Sequence, residues 1–361
     1  DRNYEFWGDQ AFFGENPPAS AVITWFLKHQ VGEVKLKIAD ASGHEVREIS
    51  GTVLANSNKP GLQSACWDLR VQPLPTPAGA GRAGGRGGAL RLAEETGGAR
   101  SGQAAGAGET GRAGGQAPGL AQAPSPFGAG CGTPGGMGGG GGFAGMGGGN
   151  AGPYVLPGTY RVSLVVDGKT VETRPLHVKA DPEVALTELE RKRMYDMAME
   201  LHELQKVASE VSTSLAPFNT RIGELAKEIP KRGDLPADVK ASFESVNKEL
   251  TALMPKFVAG GGRGGAGGGT GGPGGARNVT PEPSPMARLT QAKNGLMAGM
   301  GPTDQTMKAY ADAKVKVPAA IADVNAMLAK ANALAASLQK YDVKLTVPAA
   351  VKVPAGKKTT S

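Results

Sequence analysis

Between residues 20 and 72 apolar and polar side chains alternate in short runs. In "EVKLKIAD", Val34, Leu36 and Ile38 fall on one side and Lys35 and Lys37 on the other, the two-residue period of a half-buried strand. Asp40-Ala41-Ser42-Gly43 supplies turn residues, and "HEVREISG" returns as a strand. "SACWDLRV" places Ala65, Trp67, Leu69 and Val71 on one face. The alternation stops near Pro73 and resumes after Pro153, where Tyr160, Val162, Leu164 and Val166 share a face and Asp167-Gly168 marks a two-residue hairpin. Because an isolated hairpin is unstable in water, the parts on either side of the interruption need each other. Together they make about six or seven strands, the size of an antiparallel β-sandwich, with Trp67 expected in its core.

From Asp181 the period becomes helical. Asp181-Pro182-Glu183 reads as a helix start. Met194, Met197, Leu201, Leu204, Ala208, Val211 and Leu215 then recur at three- and four-residue spacing, and Phe218, Ile222, Leu225 and Ile229 continue it beyond Pro217. A second helix opens near Pro236, with Val239, Phe243, Val246, Leu250, Leu253 and Phe257 on its stripe. Ser284-Pro285 begins a third, short helix through Leu289, Leu296 and Met300. Thr303-Asp304 caps a fourth, carrying Met307, Tyr310, Val317, Ile321, Val324, Leu328 and Leu338, with Lys314 interrupting the stripe and Pro318 inside it. Four amphipathic helices with short or flexible links predict an antiparallel helical bundle.

Composition explains the gaps. The 361 residues include 56 glycines and 26 prolines, and the glycines gather in two tracts. The Gly/Ala/Pro/Arg-rich stretch from 73 to 153 cannot bury enough apolar area to offset its chain entropy. It is expected to be a loop inserted between two strands of one sandwich; only "ALRLAEE" at 89–95 has helix-forming character. The domain plan is therefore an N-terminal extension (1–19), a sandwich (20–180) interrupted at 73–153, a bundle (181–345) interrupted by a Gly-rich linker (259–283), and a tail (346–361).

A net charge of +7 invites a nucleic-acid reading. Arg82, Arg86, Arg100, Arg112, Arg263 and Arg277 stand in glycine-rich surroundings that resemble single-strand-binding segments. Such segments rely on aromatic stacking platforms, and only Phe127 and Phe143 fall in the first tract and none in the second. A solvated basic linker is the expectation, with no nucleic acid as partner.

The search for chemistry returns no catalytic residue, no cofactor and no metal ligand set. His29, His44, His177 and His202 show no paired spacing and lack partner cysteines, so zinc patterns fail and all four are expected at the surface. No nucleophile elbow, phosphate loop or dinucleotide fingerprint occurs outside low-complexity sequence. Asp40 and Asp167 are explained by turns, Asp68 points outward, and Asn278-Val279-Thr280 is a formal glycosylation acceptor of a kind that occurs by chance. No enzyme is predicted. Cys66 and Cys131 are the two cysteines; they would pair in an exported chain and stay free in the cytosol.

The order of "GENPP", "AVITWFLK", "VKLKIADASGHEVREISG", "PGLQSACWDLR", "LPGTYRVSLVVDGKTVETRPLHVKADP", "PMARLTQAKNGLMAGM" and "AAIADVNAMLAKANALAASL" resembles the region that follows the β-propeller in large exported bacterial proteins of the sortilin-type, BNR-repeat, glycosyl-hydrolase-like family. The resemblance implies an α+β multidomain chain: an Ig/fibronectin III-like antiparallel β-sandwich followed by an antiparallel α-helical bundle, with two Gly-rich insertions. The propeller's S-x-D-x-G-x-T-W repeat does not occur in these residues. Phe12-Phe13-Gly14-Glu15-Asn16-Pro17-Pro18 is thus expected to hand over from a propeller that they lack, and hydrolase chemistry is not carried across.

The expected function is a non-catalytic structural or assembly subunit, periplasmic or otherwise exported, peripheral to a membrane and docked on other protein subunits of a large assembly. A photosynthetic reaction-centre–antenna complex is one candidate. No small-molecule substrate is expected. The alternative is a detached carbohydrate- or peptide-binding accessory module. Glycine permits close backbone approach to another surface, and Met137, Phe143 and Met146 offer small apolar anchors, so the first tract is expected to meet the partner.

Overall fold

A computed structural model describes residues 20–75, 128–129, 131, 149–257 and 282–352. Six strands come first: β1 (Ala21–Leu27), β2 (Val34–Ala39), β3 (Glu45–Ile49), β4 (Gly61–Trp67), β5 (Gly158–Val166) and β6 (Lys169–Val178). Four helices follow: α1 (Glu188–Glu228), α2 (Ala237–Leu253), α3 (Pro285–Leu296) and α4 (Asp304–Gln339).

The strands form two antiparallel sheets, β1-β4 and β3-β2-β5-β6. Strand β2 precedes the long insertion and β5 follows it, yet they pair in register, Leu36 opposite Leu164 and Ile38 opposite Val162. Alternation sends Trp25 and Leu27 of β1, Val34, Leu36 and Ile38 of β2, Ala65 and Trp67 of β4, and Tyr160 and Val162 of β5 into one core shared by both sheets. At the β5–β6 hairpin Asp167 and Gly168 both adopt positive φ, 49° and 79°, the twist that two-residue hairpins need. The Asp167 carboxylate also accepts from Glu33 N at 2.8 Å, tying the hairpin to the start of β2. Ahead of the buried ring, Tyr160 OH donates to Leu156 O at 2.7 Å and fixes the approach to β5.

Helix α1 begins later than Asp181-Pro182 suggests. Thr187 is its N-cap, in a reciprocal capping box with Glu190, and Asp181 closes only a short turn by accepting from Glu183 N. The capping box satisfies two orphan amide groups at once, which a lone Asp does not. The helix continues through Pro217, because the apolar stripe from Met197 to Leu225 stays buried on both sides of it. Helix α3 ends at Leu296, so Met300, expected on its stripe, is 70% exposed; Gly299 at φ 80° turns the chain there. Lys314, which interrupts the α4 stripe, forms an ion pair with Glu200 of α1 at 2.9 Å. Tyr310 OH donates to the same carboxylate.

The helical core contains buried residues of all four helices and continues into Val343 and Leu345. Val347 and Val351 pack on it as well, and the Asn325 amide both donates to Val351 O and accepts from Val351 N. Packed chain therefore runs past residue 345.

Candidate functional site at the neck of the insertion

The composition of 73–153 predicts an unstructured loop, but both of its ends are built into the protein. Residues 69–75 and 149–155 run antiparallel. Val155 N donates to Leu69 O, Val71 N to Pro153 O and Leu74 N to Asn150 O, each at 2.9 Å. Gly152 permits this approach, since a Cβ there would stand 2.3 Å from Val71 O. The two ends of the insertion thus leave the protein side by side, as a neck.

Four side chains seize this neck. Lys293 of α3 donates from Nζ to Gly149 O at 2.8 Å, Ala151 O at 2.9 Å and Gln205 Oε1 at 2.5 Å. Gln205 of α1 donates in turn to Gly149 O. One helical turn away, His202 Nε2 lies 3.0 Å from Gln72 O. Arg70, on the neck itself, donates to Gly152 O at 3.0 Å, touches Met297 Sδ at 3.4 Å and covers the Tyr154 ring with its guanidinium 3.7 Å from the centroid. Lys293 and Gln205 are 0% exposed, Arg70 3% and His202 4%. Among the described residues the remaining buried polar side chain is Ser57, so buried polarity is concentrated in this joint between the sheets and the helices.

The joint holds cations and carbonyl oxygens. Burial, then the Arg70 charge, pushes Lys293 down to about 8. Three acceptors around Nζ match the three N–H bonds of an ammonium, whereas a neutral amine would turn its lone pair on one of them, so Lys293 is a cation at neutral pH. Burial, then the Lys293 charge, pushes His202 down to about 4, while the Gln72 carbonyl acts in the opposite sense. His202 is therefore neutral at pH 7 with Nε2–H donating to Gln72 O, and its Nδ1 is buried without a hydrogen-bond partner. Chemically the site grips backbone carbonyls. Its amine is fully hydrogen-bonded and sealed from solvent. Two clefts of ≈ 550 and ≈ 280 Å³ lie elsewhere, the first beside Phe218, Arg221 and Lys344 and the second beside Asp40, Tyr160 and Tyr195. No cluster of three metal-ligating side chains occurs among the described residues.

The structure joins Cys66 to Cys131 by a disulfide with Cα atoms 5.0 Å apart. Around it Ala129 pairs with β4: Cys66 N donates to Ala129 O and Ala129 N to Ser64 O, both at 2.9 Å. Gly128, at φ 110°, is required here, because a Cβ would fall 2.3 Å from Ser64 O. Met137, Phe143 and Met146 lie outside the described residues.

His202, expected at the surface, is buried because its side of α1 meets the neck. The sequence singles out neither Lys293 nor Gln205, although it carries a signal for both. Lys293 stands four residues after Leu289 and three before Leu296, and Gln205 stands between Leu201 and Ala208, so both occupy apolar-stripe positions where a polar residue demands a partner. Lys293→Met is expected to destabilise the protein by about 2–4 kcal/mol, since Gly149 O, Ala151 O and Gln205 Oε1 would lose their donor in a dry site. Urea titration of the variant beside the parent checks this; a change below about 0.5 kcal/mol, within the range of ordinary surface substitutions, would mean that the joint is dispensable.

No protein-family model matches the chain, and no curated protein or solved structure matches it significantly.

Proposed function

We propose that this chain is a non-catalytic structural or assembly subunit: an Ig/fibronectin III-like sandwich followed by an antiparallel helical bundle, exported and docked on other protein subunits at a membrane periphery. The observation that carries the reading is the neck. An insertion whose two ends are clamped by Arg70, His202, Gln205 and Lys293, and whose interior is bonded through Cys131 to β4, is presented from a fixed base. Such anchoring lowers the entropy lost when an inserted segment meets a partner. The order β3-β2-β5-β6 facing β1-β4, with Tyr160 hydrogen-bonded to the backbone four residues upstream, supports the sandwich assignment. The disulfide supports an oxidising compartment. Among the described residues no helix is long and apolar enough to cross a membrane, which suits a peripheral placement.

Cross-linking of the full-length chain in native membrane preparations tests the proposal, beside a variant with residues 132–148 replaced by a short Gly-Ser linker. The expected result is one stoichiometric set of partner proteins cross-linked through 128–148 and lost in the variant, with thermal stability unchanged. Partners retained by the variant would overturn the role of the tract. Retention on carbohydrate or peptide matrices in place of stoichiometric partners would favour the accessory-module reading.

A further inference from the structure

A buried histidine that bonds through one nitrogen and leaves the other with nothing is tolerated only while it is neutral. His202 is in that position: Nε2 faces Gln72 O at 3.0 Å and Nδ1 is enclosed without a partner. Among the described residues no acid is among the groups that shift it. The charges that bear on it are Lys293, across the joint on α3, and Lys206, on its own helix. Arg70, on the neck, adds to the positive field at Lys293. A proton on Nδ1 would place a third cation in this enclosed cluster with no acceptor to receive the N–H bond.

We infer that His202 is a proton-operated latch: protonating it expels the imidazole from the joint, releases Gln72 O, and frees the 69–75 arm of the neck from its hydrogen bond to helix α1, while Gln205 keeps its bond to Gly149 O. The inference goes beyond the assembly reading and does not need it, since the latch lies within the isolated chain. Its geometry localises the effect. The bond that breaks joins α1 to residues 69–75, whereas the β2–β5 register and the α3–α4 packing contain no part of it. Arg70, Lys293 and the backbone pairing of the two arms are separate from that bond, so the proton acts on the contact between the 69–75 arm and α1 and the other contacts oppose further opening.

The sign of the pH dependence follows from the depressed His202 value of about 4 against about 6.5 for a free imidazole. The open state binds the proton more tightly, so closure is fully favoured above pH 6.5 and is lost as the pH falls toward 4. Each pH unit in that window shifts the opening equilibrium by up to about tenfold, close to a hundredfold between pH 7.5 and 4.5.

Hydrogen exchange of the oxidised full-length chain, with labelling times corrected for intrinsic rates, measures this directly. Backbone amides of 69–75 are expected to lose about a hundredfold in protection between pH 7.5 and 4.5 while β2 and β5 keep theirs. His202→Gln, which offers Gln72 O a donor that does not titrate, is expected to keep the neck protected throughout. Unchanged neck protection in the parent, equal loss in His202→Gln, or simultaneous loss across neck, strands and helices would each overturn the latch. Should His202→Gln fold poorly, the parent decides: a His202 ring midpoint well below the about 6.5 of a free imidazole, with protection of the 69–75 amides lost over the same pH range, supports the inference, and neck protection unchanged across that midpoint overturns it.

Discussion

Trp67→Ala is expected to lower stability by about 4 kcal/mol, at the upper end of large-to-small core substitutions. The indole is 0% exposed and fills the space between the two sheets. Its ring meets Tyr160 edge-on, with centroids 5.5 Å apart, an arrangement that contributes beyond buried area. Nε1 also donates to Arg70 O at 2.9 Å, so truncation leaves a buried carbonyl without its donor. Because Arg70 belongs to the neck, the loss should not stay inside the sheets: exchange protection at 69–75 should fall with it. Denaturant midpoints of parent and variant measure the first effect. A loss under about 1.5 kcal/mol, the scale of a mild core trimming, would show that the surroundings close over the gap.

Replacing both cysteines, Cys66→Ala with Cys131→Ala, is expected to remove about 4 kcal/mol in the chain-entropy account, given the 65-residue separation that the bond closes. Alanine avoids introducing a hydroxyl at two buried positions. The effect should include a local part: without the bond, Ala129 is still held to β4 by its backbone pairing with Ser64 and Cys66, but the covalent tie at Cys131 is gone. Adding a dithiol reductant to the parent should reproduce the variant's midpoint. A reduced parent as stable as the oxidised one would show that this part of the insertion is anchored without the disulfide.

The strand and helix segments were legible because each carries its period in consecutive residues. Val34, Leu36 and Ile38 announce a strand with one buried side, and all three are buried. Ser284 and Thr303 announce helix starts, and both accept a hydrogen bond from the third residue of their helices. Asp181 misled because a turn and a helix start share the same local signature, and the choice fell to the reciprocal bonding of Thr187 and Glu190. Composition misled at 128–129, 131 and 149–153. Glycine-rich chain has little apolar area to bury, yet Gly128 and Gly152 are the residues that allow backbone to lie against Ser64 and Val71.

The sequence by itself determined the local elements of this protein, the presence of two cysteines and the place where its pattern breaks. These depend on neighbours within a few positions, where alternation, helical spacing and capping chemistry act. Only the tertiary structure decided what the break is for. Lys293 and Gly149 lie 144 residues apart, and His202 and Gln72 lie 130 apart. Along the chain, a lysine, a glutamine and a histidine on apolar stripes are only interruptions of a period. Their role as a joint appears once folding brings unpaired carbonyls to them, because a hydrogen bond across the fold is written in neither partner alone.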